Sequence, residues 1–178
     1  RAADGSEIHY PARYEVLDVR DPDRMRKAEV SLPEPARSLL SGSVDRLIFA
    51  ARWEGRLLMA LAREAILGEI PEAERAEWQA REEALQRQVF EMVADTLRSG
   101  APDVELTVGG MTWGKRRDAL GVLEVSFTYR QKSNRQDGWL AVVYFPNRIY
   151  EVWGVGDEAG FRLLLESSRF TPEAAGGR

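Results

Sequence analysis

Leu123, Val125, Phe127 and Tyr129 fall on alternate positions, with Glu124, Ser126, Thr128 and Arg130 between them. A period of two puts the apolar set on one face of a strand and the polar set on the other. A strand buried on one side only belongs in an antiparallel sheet, because parallel strands are covered on both. The neighbouring segments follow the same logic. Val104, Leu106 and Val108 alternate before it and stop at Gly109-Gly110. Gln131 to Gly138 reads as a polar loop. Trp139 to Phe145 and Arg148 to Gly154 then form a hairpin around Pro146-Asn147. A helix starts near Glu158, capped by Asp157, with Phe161, Leu164 and Leu165 turned inward. From Asp103 to Phe170 the chain is a series of antiparallel strands closed by one short helix.

Upstream, Tyr14 to Val19 and Ala28 to Leu32 read as short strands, separated by a turn at Asp21-Pro22-Asp23. Ala36 to Leu40 fits one helical turn. Val44 to Trp53 reads as a strand with Leu47, Phe49 and Ala51 on one face and Ile48 and Ala50 on the other. Glu54-Gly55 suits a hairpin turn. In Arg56 to Ile66, Leu57, Leu58, Leu61 and Ala65 fit a helix, and residue propensity points the same way. Hairpin logic favours a strand pairing directly with its predecessor, and that reading is preferred. Pro71 to Ser99 carries a helical stripe of Trp78, Leu85, Val89, Met92 and Val93, with Pro71 suited to the first turn and Gly100 to the stop. The prediction is one α+β domain over residues 7–170, with loose ends at 1–6 and 171–178. Its twisted antiparallel sheet of about six or seven strands is covered by a long central helix and a short C-terminal helix.

Function is constrained mainly by what is scarce. One histidine, His9, and no cysteine leave the commonest general base nearly absent and the thiolate wholly so. His9 sits near the start with no ligand-type partners in sequence, so no metal site and no catalytic residue is assigned. Ser41-Gly42-Ser43 and Ser167-Ser168 lack the flanking glycines of a nucleophile elbow. Asp18, Asp21 and Asp23 lack the glycine and distal glutamate of a calcium loop. Gly154-Val155-Gly156-Asp157-Glu158-Ala159-Gly160 follows a strand and opens a helix, as a dinucleotide fingerprint does. The hairpins before it point to an antiparallel sheet, and Asp157 and Glu158 repel a pyrophosphate, so no cofactor is expected. A net charge of −4 argues against nucleic acid, and Lys115-Arg116-Arg117 is too short a cluster to reverse it. No stretch approaches the roughly 20 apolar residues that span a bilayer.

The five tryptophans are the strongest sign of binding. Trp113, Trp139 and Trp153 are candidates to line a groove, with Lys115, Arg116 and Arg117 beside them. The chain opens on Arg1 rather than Met and so reads as part of a longer product. Zero cysteine fits either side of a membrane and removes the risk of mispairing in an oxidising space; a periplasmic, secreted or lipid-anchored location is the expectation, with a cytoplasmic one as the alternative.

The order of elements in GGMTWGKRRDALGVLEVSFTYR, WLAVVYFPNRIYEVWGVG and DEAGFRLLLESSRF resembles the PsbP-like fold superfamily. VSLP at Val30 to Pro33 resembles the opening strand of such domains. Ser168-Arg169-Phe170 stands where their SF-type ending falls, one residue longer. The resemblance implies an antiparallel sheet covered by helices and no shared catalytic residues. Members include an extrinsic photosystem subunit, an import factor acting on a small GTPase, bacterial lipoproteins and type VI effector chaperones. The expectation is a non-enzymatic accessory module that binds another protein. A carrier of a small apolar ligand and a small carboxylate-based hydrolase are the alternatives.

Overall fold

Glu54 and Gly55 both take positive φ, 46° and 77°. Such a pair of left-handed residues turns one strand tightly back on the next. They join β2 (Leu47–Trp53) to β3 (Arg56–Glu64). The computed structural model describes residues 1–64, 91, 95, 105–131 and 134–171. Within them lie five more strands: β1 (Glu15–Val16), β4 (Glu105–Gly114), β5 (Gly121–Gln131), β6 (Asn134–Phe145) and β7 (Arg148–Val155). They make one sheet in the order β1-β2-β3-β7-β6-β5-β4, with every neighbouring pair antiparallel. β4 to β7 meander back across the sheet until β7 meets β3.

Both faces are covered. On one, α1 (Pro22–Ser31) and α2 (Ala36–Ser41) bring Met25, Ala28, Leu39 and Leu40 against Met59, Leu123, Val142 and Trp153. On the other, α3 (Glu158–Ser167) brings Phe161, Leu164 and Leu165 against Leu58, Val143 and Val152. The central strands therefore show no alternation: Leu57 to Leu61 are all essentially inaccessible. Burial on both sides makes a strand a continuous apolar run. That is why this segment carries helix-forming leucine, methionine and alanine and is still a strand.

Several expectations are corrected. Asp21 is a helix cap: its carboxylate accepts from Asp23 N at 3.0 Å and Arg24 N at 3.1 Å, and Pro22 is the first helical residue. The helix runs on to Ser31, over most of the strand expected at Ala28 to Leu32, with Met25 and Ala28 on its buried face and Leu32 as its extended cap. Only Glu15–Val16 of the first expected strand pairs. Val44 to Arg46 form a 3-10 turn, and a register shift between Leu47 and Phe49 breaks the predicted faces. Leu47 joins Ala50 under α1 and α2, while Ile48, Phe49 and Ala51 face α3. β4 runs past Gly109-Gly110 through another shift. The expected polar loop is largely strand: β6 begins at Asn134, and its first residues are polar because they extend beyond the core.

The first six residues are held rather than loose. Ala3 N donates to Ile48 O at 3.1 Å, Ser6 is 1% exposed, and Glu7 pairs with Arg169. The Tyr150 hydroxyl lies 2.8 Å from Asp4 Oδ2 and 2.6 Å from the Thr171 carbonyl, tying both ends to β7. Burial pushes that phenol up to about 12. The helix expected over Pro71 to Ser99 lies outside the described residues except for Glu91 and Asp95, both helical and exposed. Residues 172–178 also lie outside them.

Candidate functional site

α3 is fastened at both ends by side chains from distant elements. At its start, the Asp157 carboxylate accepts from Gly160 N at 3.0 Å, Arg13 Nη2 at 2.6 Å and the Tyr14 hydroxyl at 2.9 Å. Burial alone would raise the Asp157 pKa. The Gly160 amide, Arg13 and Tyr14 outweigh it and hold the carboxyl below its ordinary value. The glycine-rich turn before it serves this geometry. Gly156 has φ +77°, and a Cβ on Gly154 would lie 2.6 Å from Phe161 Cβ. The helix N-terminus, where a phosphate would bind, is filled by the chain's own carboxylate.

At the other end, the last carbonyls of a helix lack intrahelical partners. Arg116, in the β4–β5 connection, supplies them. Its Nη1 donates to Leu165 O and its Nη2 to Ser168 O. Its Nε sits 2.7 Å from Asp118 Oδ1, and the guanidinium lies 4.9 Å from the Phe170 ring centroid. The side chain is only 14% exposed. Burial opposes ionisation of Asp118, but Arg116's hydrogen bond and charge hold its pKa down. Of the three basic residues in sequence, the middle one is thus committed to architecture. Arg116→Ala is expected to cost about 2 kcal/mol in urea unfolding, from two abandoned carbonyls and a lost cation–π contact. Lys115→Ala and Arg117→Ala should stay within about 0.5 kcal/mol, because both side chains are exposed. Equal losses at all three positions would contradict the assignment.

Between this connection and the end of α3 opens a cleft of about 770 Å³. Val122 and Leu165 contribute apolar walls, and Lys115, Arg117, Glu166 and Arg169 contribute charge. Two further lining carboxylates are already paired, Asp118 with Arg116 and Glu124 with Arg162. The side chains of Lys115, Arg117 and Arg169 have no ion pair among the described residues. Trp113 and Leu120 bracket the same connection and are 37% and 47% exposed.

The structure separates the three candidate tryptophans. Trp113 lies near the β4 edge, its ring 5.4 Å from Tyr144 on the α1–α2 face. A Cβ on Gly121 would fall 2.3 Å from that ring, so glycine makes room for it. Trp139 lies on the opposite face, stacked 6.4 Å from Phe161. Trp153 is 3% exposed and packs edge-on against Phe127, with its Nε1 lacking a hydrogen-bond partner among the described residues. Only Trp113 accompanies the basic residues at the surface. Sequence reasoning missed Arg169, whose side chain reaches the cleft because its backbone pairs with Glu7. It also missed Trp53, which lies between Arg13 and Arg56 at 4.5 and 4.3 Å.

Among the described residues no three His, Asp or Glu side chains gather as a metal site would require. Nor is any described helix long and apolar enough to cross a membrane. His9 is about half exposed beside Glu7 at 3.5 Å. Glu151, 3% exposed, is engaged by Arg46 and Arg63.

No protein-family model matches the chain, and no curated protein sequence matches it. Its fold is similar to the solution structure of cyanobacterial PsbP (CyanoP) from Synechocystis sp. PCC 6803, with a TM-score of 0.59. The alignment covers 94% of this chain and 88% of that one at 12% identity. At that identity the likeness is one of architecture, and the chain has a PsbP-like fold.

Proposed function

We propose that this protein is a non-enzymatic accessory module that binds another protein at the cell envelope. The observation that carries the reading is the β4–β5 connection. It displays Lys115 and Arg117, which have no ion pair among the described residues, and the exposed Leu120 on a loop that Arg116 pins to α3, with the exposed Trp113 at the end of β4 beside it. Tryptophan and arginine are enriched at protein interfaces, and a surface fixed in advance loses less entropy on docking. The neighbouring cleft is open and charged, which suits a protein segment better than an enclosed apolar ligand does. The acids best placed for chemistry, Asp157 and Glu151, are engaged by arginine and hold structure together. The PsbP-like fold and the absence of cysteine support an envelope setting.

The test is crosslinking in native cell extract, followed by mass spectrometry of what the protein retains. One envelope protein should be enriched, and Trp113→Ala with Leu120→Ser should abolish its capture in a variant that circular dichroism shows is still folded, as should Leu120→Glu alone, which removes no packed ring. An unchanged capture by these variants would remove the connection from the interface. Enrichment of no partner at all would sink the binding reading.

A further inference from the structure

The cleft beside α3 has a charge balance that the whole chain does not share. The protein carries −4 overall, yet the lining cations Lys115, Arg117 and Arg169 are unpaired, and Glu166 is the one lining carboxylate without an ion pair among the described residues. Arg116 neutralises the carbonyl end of α3, which would otherwise repel an incoming anion. Val122 and Leu165 give the same cleft an apolar part. We infer that this cleft takes an acidic, amphipathic segment of a partner protein, its carboxylates set against Lys115, Arg117 and Arg169 and its apolar side chains against Val122 and Leu165.

This deepens the binding reading above and rests on it. Charge complementarity selects the occupant. A nucleic acid or an anionic bilayer meets the whole protein before it meets one cleft, and a net negative chain is repelled by both. Three cations on separate exposed side chains also lack the convergent backbone amides that hold a free phosphate. A segment alternating carboxylate with apolar side chains satisfies both kinds of wall at once.

The experiment uses the full chain and a fluorescent peptide of alternating Glu and Leu, with its Gln-for-Glu counterpart as control. Fluorescence anisotropy should show binding of the Glu peptide that weakens as salt rises, and little binding of the Gln peptide. Lys115→Glu with Arg117→Glu should weaken it at least about tenfold. Arg26→Glu, an exposed change on α1, should not. Equal binding of both peptides, equal loss in the Arg26 variant, or binding of phosphatidylglycerol vesicles in place of the peptide would each overturn the inference. The cellular partner gives a separate readout. If Lys115→Glu with Arg117→Glu captures it unchanged, the acidic-segment inference fails and the accessory reading stands. If the parent protein captures nothing, the accessory reading itself fails.

Discussion

Replacing Gly138 with valine is expected to destabilise the fold by about 3 kcal/mol, the upper end of the usual cost of overpacking. Gly138 on β6 sits directly opposite Phe127 on β5. A Cβ there would lie 2.3 Å from both Cε2 and Cζ of the phenylalanine ring. The ring cannot swing aside, because it is 2% exposed and packs edge-on against Trp153 at 6.1 Å. Glycine opposite an aromatic residue lets the ring lie over the neighbouring backbone. Urea unfolding would show the loss as a lower midpoint at unchanged slope. A valine variant as stable as the parent would mean the ring has another place to go. The paired change Gly138→Val with Phe127→Leu should recover part of the loss, since the collision is then relieved.

Asp157→Ala should also cost about 3 kcal/mol, because one carboxylate serves three donors. Removing it uncaps α3, strands the buried Tyr14 hydroxyl and breaks the ion pair of Arg13. The same group predicts a pH dependence. Its folded-state pKa lies below the unfolded value, so the unfolded chain takes up protons first as pH falls. The stability it contributes is therefore present above about pH 4, the ordinary carboxylate range, and is lost as pH falls through the depressed folded-state value. Asp118 acts in the same direction, with a smaller share because its carboxyl is about half exposed. Thermal midpoints should hold near neutrality and fall in acid, and the Asp157→Ala variant should show a shallower fall. A parent protein that gains stability on acidification would contradict the arrangement.

The amount legible in the sequence varies with how many faces an element buries. The segment from Leu123 to Tyr129 is unambiguous because only one of its faces meets the core. Leu57 to Leu61 is ambiguous by composition because both of its faces do, and only the hairpin at Glu54-Gly55 decides it. Asp21-Pro22 misleads for a chemical reason: a carboxylate accepting from the amides just ahead of it is the same device in a turn and in a helix cap. The register shift at Leu47 leaves no mark in residue type at all. The site shows the same division. Lys115, Arg116 and Arg117 look equivalent in sequence, yet Arg116 differs from its neighbours because its acceptors are backbone carbonyls of α3, which no residue identity announces. Trp113, Trp139 and Trp153 are legible as a set, but their distribution over two faces depends on strand register.

The pairing of Glu7 with Arg169 brings two stretches far apart in sequence to one corner of the molecule. The residues flanking that pair meet there too, with the Thr171 amide donating to Ser6 Oγ at 3.1 Å. Because Arg169 also lines the cleft, that corner is its rim. A change that frays the Glu7–Arg169 bridge would therefore loosen the edge of the cleft as well.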